Sequence, residues 1–351
     1  MRRFAWLVAM VLCAGLILAG CGKKSEEDIV KDLERTIDGM KSYSVEGSMI
    51  LHSGEKPQEY QFSIWYQKPE FYRIAITNKQ KNVTQIVLKN EEGVFVLTPH
   101  LQKSFRFRSE WPNDQGQVYL YQSLLRSIVK DGERAMTEDG DSYVFQVKAD
   151  YNNAALPRQK IWLKRDGYAP VHVELLDEND RAVVTVDFTN FERDKKFDED
   201  SFDMNRNLTS WHMSTLPVMS PLPAAGELTE QAKAELEADF GVIYPAYVPE
   251  GVVLDDVREL KLGDTDAVML RYVGERYSYT IVESRPRDAA VFVHETTLLD
   301  LGFTMGILSG DELKTLIWLD DGVEFRMTSN NLPTEEMVKI AQSVQGQVGK
   351  S

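Results

Sequence analysis

The chain has 351 residues, 43% of them hydrophobic and 27% charged, a length and apolar content that suit two ordinary domains with sizeable cores. Forty basic residues against 55 acidic ones leave a formal net charge of −15, which repels polyphosphate and excludes nucleic acid as a partner. Two cysteines, Cys13 and Cys21, are too few for a disulfide framework.

The chain opens with Met1, Arg2 and Arg3, runs apolar from Phe4 to Leu18, and reaches the small residues Ala19 and Gly20 before Cys21. That is the layout of a signal peptide over residues 1–20. The apolar run is shorter than the roughly twenty residues a membrane-crossing helix needs, so the exported chain is not expected to span a bilayer. Cys13 leaves with the leader, and loss of Arg2 and Arg3 takes the net charge from −15 to −17 (−15 − 2). Leu18-Ala19-Gly20-Cys21 resembles the lipobox of bacterial lipoproteins. The resemblance implies a diacylglyceryl group on the Cys21 thiol and a protein held at the extracytoplasmic face of the plasma membrane. Two acyl chains hold firmly where one does not. Residues 21–25 then form a polar tether, with Lys23 and Lys24 placed to meet anionic lipid at about 1 kcal/mol each.

From Ser25 to Lys41 the apolar residues Ile29, Leu33, Ile37 and Met40 recur at helical spacing. Ser25 followed by Glu26, Glu27 and Asp28 is a good helix start, with an oxygen acceptor at the cap and acids over the first turn. The period then changes to two. Tyr60, Phe62, Ile64 and Tyr66 alternate with polar or outward residues, and similar runs at 43–52, 71–77, 83–89, 93–98, 102–107, 142–149, 159–164, 169–176 and 181–191 predict strands. Turns rich in Asp, Asn and Gly separate them, such as Asn90-Glu91-Glu92-Gly93 and Arg165-Asp166-Gly167, so the connections make an antiparallel meander. One helix interrupts it at about 116–130. Val118, Tyr121, Leu125 and Ile128 share a side, with Leu120 and Leu124 beside them, so this helix must be buried, and the concave face of a curled sheet is its natural place. The first domain is therefore expected over 26–203.

Periodicity stops after Asp203, and the prolines at 217, 221 and 223 mark a semi-extended linker over 204–228. A smaller α+β domain is expected over 229–347. It starts with a helix at 229–240, continues with strands at 252–260, 266–273, 277–284, 291–297, 314–319 and 323–328, and closes with a helix from Pro333 to Val344 led by acids in its first turn.

The stretches SYSVEGSMIL, WYQKPEFYRI and EEGVFVLTP, following a helix behind the lipid cysteine, resemble the outer-membrane lipoprotein carrier superfamily of the LolA and LolB type over residues 26–203. That resemblance implies an α+β fold in which an unclosed antiparallel barrel wraps on helices and its apolar hollow holds acyl chains. The family latches its lid with an arginine before a proline; the matching residue here is Lys68, before Pro69. Lysine offers a point charge instead of a planar fork, so the same latch geometry does not follow. Arg73 matches a second basic position of the family, or is simply an arginine on the outer face of a strand. YPAYVPEGVVL, LIWLDDGVEFRMTS and LPTEEMVKIAQSV resemble a C-terminal domain common in surface and sporulation-related proteins of Gram-positive spore formers. The whole arrangement resembles the YdcC-type sporulation lipoproteins, which implies a role in spore cortex or germination and an envelope or sporulation protein as partner.

The five histidines, His52, His100, His172, His212 and His294, have no metal-ligand spacing, and no phosphate loop or nucleophile elbow is present, so neither a metal nor a cofactor is expected. The aromatic strands point to binding. Tyr60, Phe62, Ile64, Tyr66, Lys68 and Phe71, with Leu125 from the central helix, are the candidate cradle for an acyl chain or a partner's apolar segment. The leading expectation is a non-enzymatic, membrane-anchored scaffold or chaperone of envelope or spore biogenesis. A lipid or lipoprotein carrier is the alternative, and an envelope hydrolase is the second, for which the sequence offers no constellation of groups.

Overall fold

The computed structural model describes residues 24–52, 57–99, 103–107, 117–149, 156–209, 242–262, 265–285 and 296–344. The first helix, α1 (Glu26–Gly39), begins with a full capping box: the Ser25 hydroxyl accepts from the Asp28 amide and the Asp28 carboxylate accepts from the Ser25 amide, satisfying two otherwise orphaned donors. Ile29, Val30 and Leu33 are its buried stripe.

Eleven strands follow: β1 (Ser42–Leu51), β2 (Gln58–Gln67), β3 (Phe71–Asn78), β4 (Val83–Asn90), β5 (Gly93–Thr98), β6 (Lys103–Phe107), β7 (Ala135–Asp139), β8 (Ser142–Lys148), β9 (Arg158–Lys164), β10 (Pro170–Leu176) and β11 (Ala182–Arg193). They form one antiparallel sheet in the order β6-β5-β4-β3-β2-β1-β11-β10-β9-β8-β7. The first and last strands of the meander meet in its middle, and β6 and β7 are its two edges among the described residues. The chain must therefore pass from one edge to the other between β6 and β7, and the segment that makes the passage contains α2 (Tyr121–Lys130). Tyr121, Leu124, Leu125 and Ile128 of α2 are all buried in the core that the sheet curls around, as expected of a helix apolar over so much of its circumference.

Strand alternation sends one set of residues to that core. Tyr43, Val45, Met49, Tyr60, Phe62, Ile64, Tyr72, Ile74, Phe145, Ile161, Val173 and Val186 all belong to it. The opposite set on β3 to β5, namely Ala75, Ile86, Leu88, Phe95 and Leu97, forms a second cluster with Phe202. That cluster is covered by α3 (Met204–Thr209), whose Met204 and Leu208 pack on it. These strands are thus buried on both faces, which accounts for the unbroken buried runs of β3 and β4.

The second sheet contains β12 (Val252–Leu262), β13 (Thr265–Gly274), β14 (Ser278–Ser284), β15 (Thr296–Asp300), β16 (Met305–Ser309), β17 (Lys314–Asp320) and β18 (Val323–Ser329), in the order β12-β13-β14-β18-β17-β16-β15. The β17–β18 hairpin turns on Asp321 and Gly322, both at positive φ (50° and 76°), the geometry that an Asp-Gly pair supplies. The closing helix, α4 (Thr334–Val344), buries Met337, Val338, Ile340, Ala341 and Val344. The apolar core is continuous through both sheets.

Contacts between the two sheets are polar as well. Lys81, in the β3–β4 turn, pairs with Asp320 at 3.1 Å, and the Gln85 amide donates to the Leu319 carbonyl at 3.0 Å.

Two strands went unrecognised in the sequence. β7 is largely exposed and shows no apolar alternation, and β16 is too short for its period to stand out. Residues 204–209 of the expected linker are helical, because Met204 and Leu208 find apolar partners in the outer cluster. The rest of that linker, the helix expected at 229–240 and Cys21 lie outside the described residues.

Candidate functional site: a helix-filled cradle

The candidate cradle residues divide between two faces of the sheet. Tyr60, Phe62, Ile64 and Tyr66 point to the concave side and meet Leu125 of α2 there in one cluster. None is open to solvent: Ile64 and Leu125 are fully covered and Phe62 is 5% exposed. The concave face is therefore apolar, as expected, and is occupied by the protein's own helices. Phe71 is placed differently. Register puts it opposite Gln67, and it stacks on Phe202 at 5.7 Å in the outer cluster. In a strand buried on both faces, alternation alone does not say which face is the hollow, and this is why the sequence misplaced it.

Within the cradle, aromatic rings pack in a chain. Tyr43 lies 5.4 Å from Tyr66 and 5.8 Å from Tyr121, Tyr66 lies 5.0 Å from Tyr72, and Phe62 contacts Phe188 at 5.6 Å and Tyr119 at 6.4 Å. Burial raises the hydroxyl pKa of Tyr43, Tyr60, Tyr66 and Tyr72, so they remain protonated donors. The Tyr43 hydroxyl donates to Gln122 of α2 at 2.7 Å, and the Tyr121 hydroxyl donates to the Tyr168 carbonyl at 2.8 Å while accepting from Arg193 at 3.1 Å. α2 is thus held by polar as well as apolar contacts.

The cover formed by α1 is held differently. Its apolar stripe is inward, but its polar ties sit at the rim. Lys24 pairs with Asp32 at 2.6 Å, the Tyr168 hydroxyl donates to the same carboxylate at 3.0 Å, and Arg134 pairs with Glu26 at 3.1 Å. Hydrogen bonds from Lys24 and Tyr168 depress the Asp32 pKa. Lys68 lies at the other end of the helix, where its exposed ammonium donates to the Asp38 carbonyl at 3.4 Å and its backbone amide to the Lys41 carbonyl at 2.8 Å. A cation at a helix C-terminus is electrostatically favourable, though an exposed one contributes only a fraction of a kcal/mol.

Arg73 is on the outer face, stacked 4.3 Å over Trp65 and donating to Asn207 of α3. Burial, with a smaller contribution from Arg206, lowers its pKa to about 10. It ties α3 to the sheet and does not reach the cradle. A pocket of about 400 Å³ opens beside it, lined by Ser44, Ser63, Trp65, Asn190, Lys196 and Arg206 among others. Sequence reasoning missed this pocket, as it missed the Lys24–Asp32–Tyr168 triad and the Lys81–Asp320 pair. Each joins residues more than a hundred positions apart, or residues from separate strands, and local periodicity carries no sign of such pairs. Among the described residues there is no group of three His, Cys, Asp or Glu side chains that could hold a metal. No helix among them is long and apolar enough to cross a membrane.

An unclosed antiparallel sheet whose apolar concave face is filled by helices, with a second antiparallel sheet continuous with its core, defines the architectural class of this protein. The family model "Sporulation protein YdcC-like" matches residues 1–202, and the chain belongs to that family. The Sporulation protein YdcC of Bacillus subtilis (strain 168) is 35% identical over 353 residues, which cover 99% of each chain. Solved structures with similar features include the Pseudomonas aeruginosa MucA/MucB complex, at 14% identity over 90% of this chain and 98% of that one with a TM-score of 0.33. A LolA superfamily protein from Nitrosomonas europaea is 12% identical over 50% of this chain and 98% of its own, with a TM-score of 0.27. The strand order defines the fold independently of these two likenesses.

Proposed function

We propose that this sporulation-family protein is a lipoprotein, held on the extracytoplasmic face of the plasma membrane by a diacylglyceryl group on Cys21. Its concave face takes an acyl chain or the apolar segment of a protein partner, and it serves as a scaffold or chaperone in envelope or spore biogenesis. The observation that supports binding is the way the apolar face is covered. Helices fill it, and α1 combines a stripe of three buried side chains with half-exposed rim ties. Rim ion pairs of this kind are worth about 0–1 kcal/mol each, so displacing α1 costs mainly its stripe, and an incoming apolar chain replaces that contact with its own.

The anchor and the cover are adjacent. Four residues stand between Cys21 and Glu26, a span of at most about 18 Å, so α1 begins within reach of the lipid surface. A fixed anchor suits reception and scaffolding better than shuttling between membranes. The test is recovery of the chain from membranes, with lipid extraction and identification of co-purifying proteins from the same sample. Bound acyl lipid or a stoichiometric envelope protein supports the reading; an empty, partnerless protein counts against it. Cys21→Ala should move the chain from the detergent phase to the aqueous phase in a partition assay, and retention in the detergent phase would remove the anchor from the proposal.

A further inference from the structure

The outer face of the first sheet carries a pocket that the cradle does not use. Strand alternation turns Ser44 and Glu46 of β1, and Ser63 and Trp65 of β2, away from the concave core that takes Tyr43, Val45, Phe62 and Ile64. Register sets Ser44 beside Trp65 and Glu46 beside Ser63, so the four make one floor. One wall is the end of β11, where residues 190 and 191 oppose Val45 alone. Asn190 has a φ of 49° in this bulge, and its amide donates to the Glu46 carboxylate at 2.7 Å. Bulges re-aim side chains in this way beside functional sites. The other wall is the chain after β11, pinned to the start of β1. The Asp194 amide donates to the Ser42 carbonyl at 2.9 Å, and the Ser42 hydroxyl donates to the Lys195 carbonyl at 2.7 Å. The space between is about 400 Å³, within the roughly 300–1,000 Å³ of small-molecule sites.

Most charges in the lining are already matched. Lys195 pairs with Glu192 at 2.7 Å, and Arg206 pairs with Asp198 at 3.5 Å and with Asp200. The exposed Lys196 ammonium has no ion-pair partner among the described residues. The side-chain hydroxyls of Ser44, Ser63 and Ser201 make no hydrogen bond among the described residues either, although Ser201 is only 4% exposed. Three hydroxyls and one ammonium without protein partners therefore line one space, and polar groups in so sheltered a place call for water or a ligand to meet them. Apolar surface is supplied by Trp65, which is fixed by the Arg73 guanidinium 4.3 Å over its ring and by Phe197 at 5.5 Å.

We propose that this pocket binds a saccharide carrying a single carboxylate. The three serine hydroxyls, with the Asn190 amide and the Glu46 carboxylate, exchange hydrogen bonds with the sugar hydroxyls. Trp65 and Phe197 meet the apolar C–H side of the ring, and Lys196 pairs with the carboxylate. An acyl chain would leave all three hydroxyls unmatched. A polyanion is disfavoured because Glu46, Glu192 and Asp198 balance Lys195, Lys196 and Arg206 in the lining. The pocket lies on the face opposite the cradle, so this inference is independent of what the cradle takes.

Ligand-observed saturation-transfer NMR on the full chain tests it, with D-glucuronate as the probe and D-glucose, acetate and free alanine as controls. Glucuronate should bind with a Kd of about 1 mM, and glucose about tenfold more weakly, the scale of one charge-assisted hydrogen bond. Lys196→Met should bring glucuronate to the glucose level and leave glucose unchanged. Ser63→Ala should weaken both sugars about fivefold. Both substitutions are on the outer face and outside the core, so the variants keep the fold. No transfer to glucuronate at about 10 mM overturns the site, as does binding that both variants leave at the parent's level. Glucose bound as tightly as glucuronate overturns the carboxylate assignment. Acetate or alanine bound as tightly as glucuronate overturns the saccharide. None of these outcomes touches acyl capture by the concave face, so the two readings fail separately.

Discussion

Gly47→Ala gives a sharp test of how the cradle floor is built. Gly47 sits in β1 between Val45 and Met49, at a position whose side chain would enter the core. It is paired with Phe62 of β2 on one side and Phe188 of β11 on the other. The Phe62 ring lies across the space a Cβ would occupy: an added methyl would fall well inside contact distance of both the ring and the Asp187 carbonyl. A glycine in a strand is ordinarily a weak point, and replacing it by alanine stabilises by about 0.4–1 kcal/mol through the unfolded chain where the site is open. Here overpacking works against that gain and costs about 1–3 kcal/mol, so the sign of the effect is itself the test. The expected net loss of about 1–2 kcal/mol corresponds to a fall in Tm of about 2–8 °C for a domain of this size. Urea and thermal unfolding of the purified chain measure it. Phe62→Leu withdraws the ring but leaves the Asp187 carbonyl, so the double variant should recover part of the loss, with a coupling of about 1 kcal/mol in a double-mutant cycle. A Gly47→Ala protein as stable as the parent, or strict additivity with Phe62→Leu, would refute the claim that the ring fills the glycine's space.

Three buried or half-buried carboxylates of the C-terminal domain have pKa values raised chiefly by burial: Glu283 to about 7, Asp300 to about 6, and Asp320 in direction. A carboxyl whose folded pKa lies above its unfolded value binds more protons in the native state between the two, so stability is greatest below the unfolded value and falls as pH rises to the folded one. For Glu283 the window runs from 4.5 to about 7. The loss across it is on the order of 3 kcal/mol, and Glu283→Gln, which keeps an acceptor for the Ile243 amide, should flatten that slope in denaturant titrations at pH 5 and 8. A slope equal to the parent's would assign the pH dependence elsewhere. Leu33→Ala removes a fully covered side chain from the α1 stripe and should cost about 2–5 kcal/mol, with exchange protection lost first in residues 26–39; loss spread evenly over the sheet would show that α1 does not move independently.

The sequence by itself determined the elements and their polarity. A period of two with Asp, Asn and Gly turns can form only strands joined by tight hairpins. A helix apolar over most of its circumference can exist only when covered, and Ser25 with Asp28 caps α1 wherever the helix is placed. Those are local effects, and the helices and most strands lie within a few residues of where periodicity puts them. Tertiary structure decided which face each residue serves. Phe71 has the same aromatic character as Phe62, but register and Phe202 commit it to the outer cluster, where burial on both faces had erased the alternation that would have shown it. It also decided that the concave face is filled, because α2 lies on the connection from one edge of the described sheet to the other. The ties that join distant parts, Asp32 with Tyr168 and Lys81 with Asp320, depend on how two sheets curl and meet, and no spacing along the chain encodes that meeting.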